Sequence, residues 1–226
     1  MTVKTLEAKD FNRAVRGFIA GFATLLLVAC GGANVQMQGE IPTPLVQPLP
    51  VRMGLYFEPA LLDYVYEEKI ENHGDWRVEV GKMQPKLFLQ VGTAMFAAAE
   101  QVSSVTPGND NLDGVLAPSI ADFQISIPDQ TRTEFYEVWI KYLVRVYDNK
   151  GVLIAEWPVT AYGKANQADY GFFEKTNEPA MHDATMRALR DAGAFLALRF
   201  SSVPAIKTWL DSRAQTSTAA TSGGTP

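Results

Sequence analysis

Two long runs in the middle of the chain alternate apolar and polar residues with a period of two. In the first, Ala121, Phe123, Ile125 and Ile127 alternate with Asp122, Gln124 and Ser126. In the second, Val138, Ile140, Tyr142, Val144 and Val146 alternate with Glu137, Trp139, Lys141, Leu143, Arg145 and Tyr147. Successive side chains of a strand point to opposite faces, so each run predicts a strand with one buried face. Antiparallel sheets are the ones that tolerate a wet face. Asp148-Asn149-Lys150-Gly151 supplies a turn, and Val152-Leu153-Ile154-Ala155-Glu156-Trp157 returns as a hairpin partner. Pro158 has no N–H for a ladder, so the returning strand lies at a sheet edge or bulges there.

The remaining elements supply the cover that such a sheet needs on its apolar face. Val51–Phe57 reads as an earlier strand, and Tyr64–Glu68 and Trp76–Val80 as short strands around the turn Asn72–Asp75. Residues 85–104 read as a helix, with Phe88, Val91, Met95, Ala98 and Val102 three and four apart. A second helix is expected over 179–200, its stripe formed by Met181, Ala184, Ala188, Ala192, Phe195 and Leu196. A short last helix over 203–213 would contribute Ile206, Trp209 and Leu210. Leaving the short strands aside, the order is β-α-β-β-β-α. The expected fold is a two-layer α+β sandwich: an antiparallel-rich sheet with two main helices on one face, plus the short C-terminal helix.

The N-terminal segment has a different character. Lys4, Lys9, Arg13 and Arg16 precede an uncharged apolar run from Phe18 to Ala29, and Cys30 follows, then Gly31-Gly32. A basic region, a short apolar stretch and small residues at its end form an export signal. The run is too short to cross a bilayer comfortably, which takes about 20 apolar residues. Its end, Leu27-Val28-Ala29-Cys30, resembles the lipobox of bacterial lipoproteins. That resemblance implies cleavage before Cys30, lipidation of its thiol with diacylglycerol, and usually a third, palmitate-like chain on the new amino terminus. Gly31 rather than Asp after the cysteine implies, by the same likeness, transfer to the outer membrane facing the periplasm.

These features divide the chain into a signal segment (1–29), a lipidated cysteine and tether (30–50), a globular block (51–212) and a small polar tail (213–226). The tether reading rests on the glycines of 31–39 and the four prolines between 42 and 50, which favour an extended chain of roughly 3 Å per residue. The alternative is an arm packed along the domain, burying Leu45, Val46 and Leu49. Ser, Thr, Ala and Gly in the tail carry too little apolar surface to order it.

Charge excludes one class of partner. The net charge is −5, and near −7 once residues 1–29 are removed. A surface that binds phosphates wants a basic stripe, so nucleic acid is not expected. Attraction to anionic lipid headgroups is not expected either, and membrane attachment falls to the cysteine. The histidines are His73 and His182, far apart and without repeating metal-ligand spacing, so neither a metal site nor a cofactor is expected. Glu67, Glu68, Glu71 and Glu79 are read as a wet strand face rather than a general acid and base. No catalytic residue is assigned, and an enzyme is not expected.

Binding is the expected activity, at two surfaces. The outer face of the long strand carries Phe135, Trp139, Leu143 and Tyr147 among Glu137, Lys141 and Arg145, a mixture typical of protein contact sites. The stretch Tyr162–Tyr170, followed by Gly171-Phe172-Phe173, reads as a long aromatic loop, and long loops carry function. The element order, the Gly54-Leu55-Tyr56-Phe57 opening, the approach Asp113–Pro118 and the Ala-rich second helix are similar to the periplasmic domains of the curli-pore lipoprotein, the lipoprotein activators of penicillin-binding proteins and YajG-type envelope lipoproteins. The likeness implies an accessory or assembly subunit of an envelope complex, with an envelope protein as partner. The alternative is a carrier holding a lipid or small ligand between helices and sheet.

Overall fold

The computed structural model describes residues 31–106, 108, 111–171 and 177–222. The expectations for residues 1–30, Cys30 included, and for Phe172, Phe173 and the end of the tail lie outside them. The protein is α+β, built on a five-stranded and a three-stranded sheet. The strands are β1 (Ala33–Gln36), β2 (Leu49–Tyr56), β3 (Val65–Ile70), β4 (Gly74–Glu79), β5 (Phe96–Val102), β6 (Gly114–Ser126), β7 (Phe135–Asp148) and β8 (Leu153–Asn166). The helices are α1 (Pro59–Leu62), α2 (Gln84–Met95), α3 (Pro128–Thr131), α4 (Asn177–Arg199) and α5 (Pro204–Ser222).

The large sheet has the order β5-β2-β6-β7-β8. β6, β7 and β8 are antiparallel neighbours, as the alternation dictates, while β2 lies parallel to both β5 and β6. β8 is therefore an edge strand, which is where Pro158, opposite Leu143, is tolerated. A bulge leaves Ala121 of β6 without a partner between Ile120 and Asp122. The small sheet has the order β1-β4-β3, with β1 parallel and β3 antiparallel to β4.

The core lies on one face of the large sheet. Tyr136, Val138, Ile140, Tyr142, Val144 and Val146 of β7 point into it. Leu87, Phe88, Val91 and Met95 of α2 and Met181, Ala184, Ala188, Leu189 and Leu196 of α4 close over them. Each large aliphatic side chain fully buried there contributes about 1.5–3 kcal/mol. The small sheet covers the rest of this face, with Trp76 against Tyr136 and Tyr66 against Phe123. One polar pair lies within the core: the Tyr142 hydroxyl donates to Gln84 Oε1 at 3.0 Å, and Gln84 Nε2 donates to the Val80 carbonyl at 3.1 Å. Burial pushes the Tyr142 phenol well above its ordinary value, though the bond to Gln84 acts the other way.

Four stretches differ from the expectations drawn from sequence. The helix expected over 85–104 stops at Met95, and residues 96–102 form β5. Alanines 97–99 favour a helix, but the ladder offered by β2 outweighs that weak preference. The stretch expected to be a loop from Tyr162 begins as strand: β8 runs to Asn166, and a 3₁₀ turn spans Gln167–Tyr170. The expected tether is strand β1 over Ala33–Gln36, with Val35, Met37 and Ile41 buried, whereas Leu45 is wholly exposed. Finally, α5 extends to Ser222, past the span expected for a short helix; its alanines make continuation inexpensive.

Candidate functional site

The strand faces not turned to the core make up the candidate site. Along β7 every second residue from Phe135 to Tyr147 is only half-buried or exposed, and these side chains line up across strands with those of β6 and β8. Trp139 sits between Gln124 and Tyr162. Its ring packs on that of Tyr162 at 5.1 Å between centroids. The Lys164 ammonium lies 4.5 Å from the centre of the Phe135 ring, a cation–π contact. Leu143 sits between Ser119 and Pro158, and Tyr147 between Val115 and Leu153. A shallow depression of about 290 Å³ is lined by Asp122, Gln124, Trp139, Lys141 and Thr160.

The charges on this face are arranged in pairs. Arg145 donates to Glu156 at 2.6 Å, and the Tyr162 hydroxyl donates to Glu137 at 2.5 Å. Partial burial, then the adjoining Glu137 carboxylate, push the Tyr162 phenol up to about 12. The phenol therefore remains a neutral donor throughout the physiological range. The free edge of β8 is blocked here: Asp191 of α4 accepts from the Tyr162 N–H at 3.0 Å, and Arg187 donates to the Lys164 carbonyl. An edge capped in this way does not invite another strand, so what this region offers is its face.

Phe135, Trp139, Leu143, Tyr147 and Tyr162 are thus brought together on one surface. Tyr170 is not among them. It lies half-buried against α4, where its hydroxyl donates to Asp183 at 2.6 Å. Thr160 and Lys164 also belong to the face but carry no periodic signal in the sequence, because the buried positions that alternate with them are Ala161, Gly163 and Ala165 rather than large apolar residues. α4 approaches so closely that a Cβ on Gly163 would stand 2.1 Å from the Ala184 carbonyl oxygen. Period two is present, but in residues too small to register as a core stripe.

His73, His182, Glu67, Glu68 and Glu79 are each engaged by a neighbour. His182 Nδ1 lies 3.2 Å from Asp183 and Nε2 2.7 Å from the Gln38 carbonyl. Burial raises the Asp183 carboxyl, but the bonds from Tyr170 and His182 outweigh it and hold the group below its usual range. Tyrosine, carboxylate and imidazole thus form a chain whose outer nitrogen is occupied by backbone, an arrangement that fastens the N-terminal arm. Arg77 pairs with Glu67 and Glu79, Tyr66 with Glu68, and His73 with Asp129. Glu67, Glu79, His73 and His182 are therefore spread over three places. Among the described residues no group of three or more His, Cys, Asp or Glu stands together to hold a metal, and no helix is long and apolar enough to cross a membrane.

No family model and no curated protein match the sequence. Among solved structures, the chain is similar to a candidate lipoprotein from Caulobacter crescentus CB15 (13% identity, TM-score 0.38, covering 58% of this chain and 83% of that one). It is also similar to a minor lipoprotein from Acinetobacter baumannii (11%, 0.36, 70% and 94%). A third is uncharacterized lipoprotein B from Nitrosomonas europaea (15%, 0.32, 76% and 94%). With TM-scores below 0.5, the fold stands on the chain's own pairing and the function on its own surfaces.

Proposed function

We propose that this chain is a lipid-anchored bacterial envelope protein, held to the outer membrane by acyl chains on Cys30 and facing the periplasm, that serves as a binding or assembly subunit of an envelope complex. The observation that carries the binding role is the outer sheet face. Trp139 and Tyr162 pack together there beside a shallow depression, among paired charges. Aromatic anchors with a polar rim make specific protein contacts, since the rings provide area at low entropic cost and the rim fixes orientation. The occupied nitrogen of His182 and the scattered, partnered carboxylates favour a non-catalytic role.

The anchoring is tested by Cys30→Ser, which should abolish incorporation of labelled palmitate and move the protein from membranes to the soluble fraction. The binding role is tested with a photo-crosslinking residue at Trp139 of the full chain in its host envelope. A discrete adduct, weakened by Lys141→Glu, is expected; absence of any adduct at Trp139 and at Tyr162 contradicts the assignment. A second reading, a carrier, is favoured by one feature. A cleft of about 880 Å³ between β2 and α5 is lined by Leu49, Val51, Asp113, Lys207, Leu210 and Arg213, within the size range of small-molecule pockets. Native mass spectrometry of the purified protein distinguishes the two by whether a ligand is carried.

A further inference from the structure

The anchored end of the chain has no slack. Pairing of β1 with β4 begins at Ala33, opposite Trp76, and the two residues before it already lie on the β3–β4 turn. A Cβ on Gly74 would overlap the Gly31 carbonyl oxygen, and one on Gly32 would stand 2.5 Å from the Asp75 carbonyl. Gly32 and Gly74 both have positive φ (133° and 80°), which makes this close crossing feasible for glycine. Beyond β1 the arm follows one stripe of α4. Gln38 meets His182, Gly39 meets Met186, and the Glu40 carbonyl accepts from Arg190, residues spaced four apart. Lys86 of α2 adds bonds to the Gly39 carbonyl and the Glu40 carboxylate at 2.8 Å.

Gly31 follows Cys30 directly, and consecutive Cα atoms are about 3.8 Å apart. We propose that the domain stands upright on the lipid surface, with the β3–β4 turn and α3 against the headgroups and the α5 cleft pointing away. This rests on acylation of Cys30. The end of the molecule near Gly31 also carries His73, paired with Asp129 of α3, and Trp76, packed on Tyr136 at the start of β7. β7 runs from there for 14 residues to Asp148, which at about 3.3 Å per residue spans roughly 40 Å. α4 runs the same way, from Asn177, bonded to Tyr136, to the turn containing Phe200 that precedes α5. Asp113, bonded to Arg52 and Arg213, is at that far end. The end near the lipid carries Glu71 on the turn, Asp75 in β4 and Asp129 in α3, so charge does not draw it to anionic headgroups. The short covalent lead holds it there, and the partner-binding face stands perpendicular to the bilayer, open to the side.

The test uses the lipidated full chain. Cys30 is the sole cysteine, so acylation leaves an engineered thiol unique. Glu71→Cys and Lys150→Cys proteins carrying a thiol-reactive fluorophore are reconstituted in phosphatidylethanolamine and phosphatidylglycerol vesicles with a nitroxide on a headgroup. The label at 71 should lose most of its fluorescence and the label at 150 should keep it. A flexible Gly/Ser insert between Cys30 and Gly31 should relieve quenching at 71 without loss of vesicle binding. Equal quenching at both positions, or none at 71 in vesicle-bound protein, overturns the orientation and leaves anchoring intact. An unmodified thiol at Cys30 in the intact mass overturns anchoring, and the orientation with it.

Discussion

Replacing Gly163 with alanine puts a methyl group where α4 crosses β8. The added Cβ would lie 2.1 Å from the Ala184 carbonyl oxygen, 2.3 Å from the Ala188 nitrogen and 3.0 Å from the Arg187 carbonyl carbon. Close C···O approaches in proteins are about 3.3 Å, so helix and strand must separate by roughly 1 Å. The obstructing atoms are main chain, with no rotamer to escape into. Overpacking costs about 1–3 kcal/mol, and this contact belongs at the upper end. The alanine also restricts the unfolded chain, which returns about 0.4–1 kcal/mol. The net loss is about 2 kcal/mol, and with a urea dependence of about 2 kcal/mol per molar the midpoint should fall by about 1 M. Urea unfolding followed by tryptophan fluorescence reads this directly. Thr160→Ala, on the exposed side of the same strand, should change stability by no more than about 0.5 kcal/mol. An unchanged midpoint for Gly163→Ala would refute the close packing of α4 on β8, and with it the edge protection supplied by Asp191 and Arg187.

Other perturbations probe the polar contacts. The folded protein holds the Asp183 carboxyl below its ordinary value. Its contribution to stability is therefore present above about pH 4 and is lost as pH falls through the lower folded value. Asp183→Asn should flatten the acid limb of a plot of urea midpoint against pH; an unaltered limb contradicts the Tyr170–Asp183–His182 arrangement. Tyr162, raised to about 12, shows the opposite sense. Its contribution is complete below about pH 10, where the unfolded phenol titrates, and is lost as pH rises towards the folded value. Absorbance titration should show that Tyr162→Phe removes a transition near 12; loss of one near 10 would contradict the bond to Glu137. Tyr142→Phe leaves the buried Gln84 Oε1 without its donor and should cost about 1–3 kcal/mol in thermal or urea unfolding.

The parts of the fold that are legible in the sequence are those where periodicity and residue size agree. Val138, Ile140, Tyr142, Val144 and Val146 set the core face of β7, and their polar alternates place Phe135, Trp139, Leu143 and Tyr147 on the other side. Pro158, unable to donate to a ladder, marks β8 as an edge strand. What escapes detection depends on contacts distant in sequence. The second half of β8 has Ala161, Gly163 and Ala165 at its buried positions because a helix backbone, not a side chain, fills the space above them. Residues 96–102 have helical composition and become strand because β2 presents an open edge to them. The arm over 31–41 looks like a linker by its glycines. Gly32, crossing at Asp75, and Gly74, crossing at Gly31, make the approach to the β3–β4 turn feasible, and Val35, Met37 and Ile41 are too sparse to read as a core element. Tyr162 stands out in the sequence as a candidate contact residue, but in an expected loop rather than on the sheet face beside Trp139.

Anchoring at Cys30 underlies both the proposed function and the orientation, and the mass of the N-terminal peptide from protein isolated from host membranes tests it most directly. A chain that starts at residue 30 and carries the added mass of diacylglycerol, with or without a further acyl chain, is the predicted result. A peptide that still contains Met1, or a residue-30 thiol that reacts freely with alkylating reagent, would contradict it.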